Sequence, residues 1–174
     1  MNVTQKFFMT ALRSCITGGV LADAEGADWA CFVRLCRIHN VEALAYSALK
    51  AADIAMPEPV KKELRTGFVA AAALACRQNE AYTMLADALE EREIPYVPLK
   101  GLVVKDCYPY PDFRTRGDMD ILVRRQDLAA CHQVLTQMGY ARLAYENEIL
   151  YVRNSVRFEI HYKIKHACRA DGTA

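Results

Sequence analysis

The 174 residues of the chain are 53% hydrophobic and 25% charged, a composition that excludes a mainly disordered protein. The formal net charge of +1 gives no general attraction to phosphate backbones, so long nucleic acid is not indicated as a partner. The seven cysteines include no Cys-x-x-Cys pair, which disfavours a zinc site and favours reduced thiols in a cytoplasmic protein. No apolar run reaches the roughly 18 residues that a membrane span needs, so we expect no membrane association.

The first half of the chain is rich in residues that favour helix, chiefly Ala, Leu, Glu, Arg and Met. Gly18 and Gly19 are typical of a helix end, and Asp28 is typical of a helix N-cap. Pro57 and Pro59 fall where a first helical turn tolerates proline. The apolar periodicity predicts four helices, over residues 4–17, 29–39, 41–51 and 57–91, with a bend in the last one near Gly67.

The composition changes near residue 95, where short β-branched and aromatic runs begin to alternate with turn residues. These runs predict strands at 96–99, 118–123, 140–143, 149–153 and 156–164, and helices at 101–108 and 127–138. The predicted fold is α/β (α+β), a helical N-terminal region with a small mixed sheet. We expect a helical region over residues 1–94 and an α/β core over residues 95–174.

The pattern Asp118-Met119-Asp120 opens one predicted strand. Side chains alternate between the two faces of a strand, so both carboxylates point the same way and Met119 points into the core. Adjacent carboxylates repel each other unless a cation lies between them. Mg²⁺ prefers such oxygen ligands and commonly joins one or two carboxylates to substrate phosphates. The pattern therefore predicts a divalent metal site.

A second strand, over residues 156–162, carries Glu159 and His161 on one face. If this strand lies beside the Asp118–Asp120 strand, Glu159 becomes a third carboxylate of the same cluster. Two metal ions held by such a cluster can clamp the attacking and leaving oxygens of an in-line displacement. His161 is a candidate accessory group for proton transfer or ligand orientation, with a surface role as its alternative.

The pair Lys100-Gly101 lies at a predicted strand-to-helix junction. A helix N-terminus offers unpaired N–H groups to phosphate oxygens, and glycine lets the backbone approach closely. The Lys100 charge suits a polyphosphate. The alternative is that Lys100 is an ordinary solvated lysine.

Together these features resemble the DNA polymerase beta-like nucleotidyltransferase superfamily. More closely, they resemble an uncharacterised bacterial nucleotidyltransferase family. The resemblance covers residues 96 to about 164 and rests on the following motifs, in chain order: Leu99-Lys100-Gly101, Tyr108 and Arg114 in a loop, Arg116-Gly117-Asp118-Met119-Asp120, and Phe158-Glu159-Ile160-His161. Lys100-Gly101 stands where the superfamily usually has Gly-Ser or Gly-Gly.

The resemblance implies transfer of a nucleoside monophosphate from a nucleoside triphosphate to an acceptor hydroxyl, with Mg²⁺ or Mn²⁺ as cofactor. By position, Asp118, Asp120 and Glu159 would be the catalytic metal ligands, with Glu159 also a candidate base. Nucleotide phosphates would be bound by a second set of residues, Lys100, Gly101, Arg114 and Arg116. Tyr108 is a further accessory candidate. Relatives often continue into more helices, and we expect this chain to lack such a C-terminal extension.

Other functions fit the same residues. One alternative is a catalytically inactive nucleotide-binding protein on this fold. Another is a toxin–antitoxin or assembly component that binds a protein partner through its helical half. A third is a different magnesium-dependent phosphotransferase. In the simplest alternative the Asp residues form a solvated strand edge and pair with Arg114 and Arg116.

Overall fold

The computed structural model of the chain describes residues 1–21, 24–113, 117–145 and 148–164. The chain divides into two compact units. The first, which we call the helical unit, consists of Met1–Arg77 and Val104–Arg116. The second, which we call the sheet unit, consists of Gln78–Val103 and Gly117–Ala174.

The helical unit contains three helices and the first part of a fourth. Their bounds are α1 Val3–Thr17, α2 Trp29–Ile38, α3 Glu42–Ala51 and α4 Glu58–Glu90. Its core is built around aromatic rings. Phe32 is fully buried, and its ring centroid lies 5.3 Å from that of Phe7 and 6.1 Å from that of Phe8. Such tilted and edge-to-face contacts add to the free energy gained by burying the rings.

The helix ends follow the signals in the sequence. Asn2 caps α1, and its side chain and that of Gln5 bond each other's backbone N–H groups in a capping box. Gly18 ends α1 in the left-handed region, with a φ of 72°. The Asp28 side chain accepts a hydrogen bond from the Cys31 backbone N–H at the start of α2.

Gly67 allows a close approach between α4 and α3. A Cβ atom at this position would lie 2.6 Å from the Cβ atom of Glu42. Real Cβ atoms do not come so close, so a side chain here would push the two helices apart. The glycine predicted to mark a bend therefore has a packing reason for its presence.

The sheet unit contains five strands in the order β1-β2-β5-β4-β3. Only β2 and β5 are parallel neighbours among the described strands, and the other three pairs are antiparallel. Their bounds are β1 Tyr96–Pro98, β2 Met119–Val123, β3 Ala141–Tyr145, β4 Glu148–Arg153 and β5 Val156–His161. The sheet unit also contains α6 Leu128–Gln137 and all but the last residue of α5 Gly101–Val104.

One face of this sheet is covered by helices. Leu85 and Leu89 from the end of α4 pack with Val134 and Leu135 of α6 in the same buried cluster. Phe158, at the centre of β5, is fully buried in it. The end of α4 is thus part of the sheet unit, which begins at Gln78.

The α+β fold predicted from the sequence is confirmed, since the described residues form six helices and a five-stranded mixed sheet. The predicted helix over residues 101–108 is shorter, because a 3₁₀ turn at Lys105–Cys107 follows α5 directly. The last predicted strand ends at His161 instead of residue 164. None of the helices in the described ranges combines the length and the apolar character of a membrane span.

The six cysteines that the structure describes are all free thiols. Cys15, Cys36 and Cys131 are buried in the two cores, where they act as small apolar side chains. Burial raises the pKa of the Cys36 thiol to about 12 and that of Cys131 to about 11. These thiols stay protonated at neutral pH and are poor metal ligands and nucleophiles. Cys168 lies outside the described residues.

Candidate active site

The parallel pairing of β2 and β5 brings two carboxylates side by side. The register pairs Asp120 with Glu159, as the sequence predicts for neighbouring strands. Met119 and Ile121, which flank Asp120 on β2, are buried in the core of the sheet unit. Because side chains alternate along a strand, Asp120 and Glu159 lie on the opposite face of the sheet.

Both carboxylates are buried. Asp120 is 3% exposed and Glu159 is 8% exposed. Burying an ionised carboxylate costs free energy unless cations or hydrogen-bond donors compensate for the lost water. Two neighbouring buried carboxylates also repel each other. Burying the two carboxylates therefore costs free energy, and positive charge nearby lowers that cost.

His161 supplies one donor to this site. Its Nε2 lies 2.8 Å from Asp120 Oδ1 and 3.4 Å from Glu159 Oε1. A carboxylate oxygen is an acceptor, so the shorter contact requires the imidazole Nε2–H to donate to Asp120. His161, predicted only as an accessory residue, is thus in direct contact with the central carboxylate.

Lys100 supplies the second donor. Its Nζ donates to Asp120 Oδ1 at 2.6 Å, the same oxygen that His161 contacts. This hydrogen bond raises the pKa of Lys100 above its ordinary value. Partial burial lowers the pKa, and the negative charges of Asp120, Glu159 and Asp118 raise it. Lys100 therefore stays charged at neutral pH, as a charge-assisted donor to a buried acceptor.

The turn that carries Lys100 has an unusual backbone. Lys100 has a φ of 46°, in the left-handed region that favours glycine. The Leu99 N–H donates to the carbonyl oxygen of Asp120, which ties the end of β1 to β2. Helix α5, which begins at the buried Gly101, has only four residues. Its dipole is correspondingly small, so the Lys100 charge is the larger positive contribution at this turn.

A potential metal-binding group lies in this site. Within the described ranges, Asp120, Glu159 and His161 each offer one ligand atom, and these atoms all lie within 4.8 Å of one another. Two carboxylate oxygens and one imidazole nitrogen are ligands that divalent ions accept. Because both carboxylates are buried, little water competes with a cation for their oxygens. The donor set therefore fits a divalent cation.

The other predicted site residues have different positions. Asp118 lies directly before β2, outside this group of three, although its charge acts on Lys100. Arg114 and Arg116 lie outside the described residues. Tyr108 follows the 3₁₀ turn in the helical unit. The roles predicted for these four residues stay predictions.

The contact between Lys100 and Asp120 could not be found from the sequence. The only signal is a lysine at a strand-to-helix turn, a position that predicts phosphate binding. The sequence also did not indicate the left-handed backbone at Lys100, because turn residues with φ > 0 are usually Gly, Asn or Asp.

The chain matches a known protein family. The model of a family described as uncharacterised nucleotidyltransferase matches residues 25–173. The matched range includes every residue of the carboxylate site. No curated protein and no solved structure shows significant similarity to the chain.

Proposed function

The chain belongs to the uncharacterised nucleotidyltransferase family whose model matches it, and from this premise we propose that it is a metal-dependent enzyme that transfers a nucleoside monophosphate. The donor is a nucleoside triphosphate, with ATP as one candidate, and the acceptor is a hydroxyl group. The proposal rests above all on the registered pair of buried carboxylates, Asp120 and Glu159, on adjacent parallel strands.

The metal, Mg²⁺ or Mn²⁺, would be held by Asp120 and Glu159, with Asp118, directly before β2, as the predicted third carboxylate. The structure supports His161 as a further ligand, because its Nε2 is grouped with both carboxylates. Metal binding would use the tautomer that leaves Nε2 unprotonated, whereas the hydrogen bond to Asp120 uses the tautomer that carries the proton there. When bound, such an ion neutralises charge on the triphosphate and on the displaced oxygen. For the protein, holding it offsets the repulsion that two buried carboxylates create.

The triphosphate would be bound by Lys100 and the backbone at Gly101. The Lys100 ammonium is a compact charge on a flexible stem, and the side chain is 63% exposed, so it can reach a ligand in solvent. The predicted contribution of Arg114 and Arg116 is further positive charge for the phosphates, and that of Tyr108 is an accessory contact. These assignments follow from the resemblance of the motifs.

In the proposed reaction, the acceptor oxygen forms a bond to the α-phosphorus while the bond from that phosphorus to the bridging oxygen breaks. Pyrophosphate leaves, and the proton of the acceptor hydroxyl passes to a base. Glu159 is the candidate base if it is not fully used as a metal ligand. The other contributions of the site are positioning of the reactants and neutralisation of phosphate charge, which typically dominate catalysis of phosphoryl transfer.

The proposed partners are a nucleoside triphosphate and an acceptor whose identity the site does not specify. A protein partner of the helical half and a cytoplasmic location are further proposals, which follow from the sequence analysis.

The direct test measures pyrophosphate release and calorimetric binding of a non-hydrolysable nucleotide with Mg²⁺, with a mixture of candidate acceptors. We expect metal-dependent binding by the wild type and its loss in Asp120→Asn and Glu159→Gln. Asp87→Asn and Glu91→Gln, which make the same chemical changes at exposed positions of the same unit, should bind like the wild type. Binding without any pyrophosphate would indicate an inactive nucleotide-binding protein, and a nucleoside diphosphate product would indicate a phosphotransferase.

A further inference from the structure

The Lys100 ammonium contacts the oxygen that a bound metal ion would need. Asp120 Oδ1 accepts from Lys100 Nζ at 2.6 Å and from His161 Nε2 at 2.8 Å. Asp120 is also the central member of the group of three potential metal ligands. A cation bound by this group must share Asp120 with Lys100 or displace it, and like charges so close to each other repel.

The two ends of this ion pair differ in how easily they can move. The Asp120 side chain is 4% exposed and belongs to a paired strand, whereas the Lys100 side chain is 63% exposed. The carboxylate is therefore fixed. The ammonium can leave at small cost, because most of its side chain is exposed and its stem is flexible.

The turn at Lys100 does not itself require a lysine. With a φ of 46°, the backbone is in a region where glycine has the lowest conformational cost. What a lysine adds at this position is the ammonium contact with Asp120, supported by the charges of Glu159 and Asp118.

We propose that Lys100 is an internal counter-ion that occupies the cation position beside Asp120 until a metal ion arrives together with a triphosphate. The ammonium then leaves Asp120 and binds the phosphates. This inference rests on the proposed function. It adds that the metal ion binds together with the nucleotide and not before it. Metal alone binds poorly because it must displace Lys100, whereas metal with nucleotide binds well because the displaced charge gains a new partner. The coupling is reciprocal, so metal and nucleotide strengthen each other's binding.

The test follows Mn²⁺ binding by the EPR signal of the free ion, with and without a non-hydrolysable nucleoside triphosphate. Without nucleotide, we expect Lys100→Met to bind Mn²⁺ on the order of tenfold more tightly than the wild type, since a buried acceptor makes this pair stronger than an exposed one. With nucleotide, we expect the same variant to bind the Mn²⁺–nucleotide complex more weakly than the wild type. The inference requires both results together: tighter binding of Mn²⁺ alone and weaker binding of the Mn²⁺–nucleotide complex.

Two further variants support the interpretation. Lys163→Met makes the same chemical change at an exposed residue of the same unit and should change neither affinity. Lys100→Gly removes the ammonium and suits the left-handed backbone, so it tests the same point if Lys100→Met fails to fold. It should show the same tighter binding of Mn²⁺ alone.

An unchanged or weaker affinity for Mn²⁺ alone in both Lys100 variants would overturn the inference. So would tighter Mn²⁺ binding by Lys163→Met, since net charge would then explain the effect. Asp120→Asn separates this failure from that of the proposed function. If Asp120→Asn abolishes Mn²⁺ binding but the Lys100 variants gain nothing, only the role of Lys100 is wrong. Mn²⁺ binding that is insensitive to Asp120→Asn would remove the proposed site as well.

Discussion

The helical unit and the sheet unit bury different kinds of side chain. In the described part of the helical unit, Thr4 is the only buried polar residue, and its hydroxyl oxygen accepts a hydrogen bond from the Asp28 backbone N–H. The sheet unit buries Gln78 and two acidic residues, Asp120 and Glu159. The first pattern serves folding, because the polar group is satisfied within the unit. The second is costly for folding, which supports the proposal that the two carboxylates serve a function.

The ways in which the two units form their cores also differ. The helical unit packs aromatic rings between short helices, with signals for each helix end that are local in sequence. The sheet unit depends on β2 pairing with β5, which is some forty residues further along the chain. Its carboxylate site exists only after this pairing forms.

The largest contrast should come from removing a buried polar group in each unit. We expect Asp120→Asn to lower nucleotidyl transfer by about 10³-fold. We also expect it to change the free energy of unfolding by less than about 1 kcal/mol, because the lost ion pair is offset by the removed burial of charge. Pyrophosphate release and urea denaturation provide the two measurements.

Thr4→Val is the counterpart in the helical unit. It leaves the Asp28 N–H without its acceptor, so we expect a loss of about 1–3 kcal/mol in the free energy of unfolding. The specific activity of the folded protein should not change. An Asp120→Asn variant that loses several kcal/mol of stability would contradict the contrast, since that carboxylate would then serve folding.

The next effect concerns the two apolar cores. Phe32 in the helical unit and Phe158 in the sheet unit are both fully buried. We expect Phe32→Ala and Phe158→Ala each to lower the free energy of unfolding by about 3–5 kcal/mol, because each leaves a large cavity. Urea denaturation measures both. Val20→Ala, at a side chain that is 95% exposed, is the control and should have almost no effect. A small loss at either phenylalanine would show that its core is loosely packed.

A smaller effect is expected where α4 meets α3 in the helical unit. Gly67→Ala should destabilise the protein by about 1–3 kcal/mol through the clash with Glu42, although alanine favours helix more than glycine does. Thermal unfolding can measure this change. Gly19→Ala is the matched variant, since its Cβ would meet only Thr17 Oγ1 at an ordinary 3.6 Å. Equal effects of the two substitutions would mean that the close approach is not a constraint.

The smallest expected effect is the difference in stability lost when an aspartate is removed from a helix start that it caps and from one that it does not cap. Asp28 accepts from a backbone N–H at the start of α2, so we expect Asp28→Ala to cost about 1 kcal/mol. Asp127 precedes α6 without such a bond and pairs instead with the Arg124 side chain. Asp127→Ala should therefore cost only a few tenths of a kcal/mol, roughly what an exposed ion pair contributes. Chemical denaturation of both variants tests this order.

The sequence by itself determined the elements of both units to within a few residues. Helix ends depend on local signals such as Asp28 and Gly18, whose side chains or backbone act within one turn. The alternation of side chains along Met119–Val123 and Val156–His161 is also a local signal, and it identified the buried face of each strand. The motifs were also sufficient to predict the family, which the match over residues 25–173 confirms.

Only the tertiary structure decided how the candidate site is composed. The sequence placed Asp118, Asp120 and Glu159 together by strand periodicity, but distances between side chains depend on register and on the ends of strands. Parallel pairing set Asp120 beside Glu159, and His161 reached Asp120 from the end of β5. The left-handed turn at Lys100 brought a second donor to the same oxygen. These contacts join residues 20 to 41 positions apart, and no local pattern encodes a distance over that range.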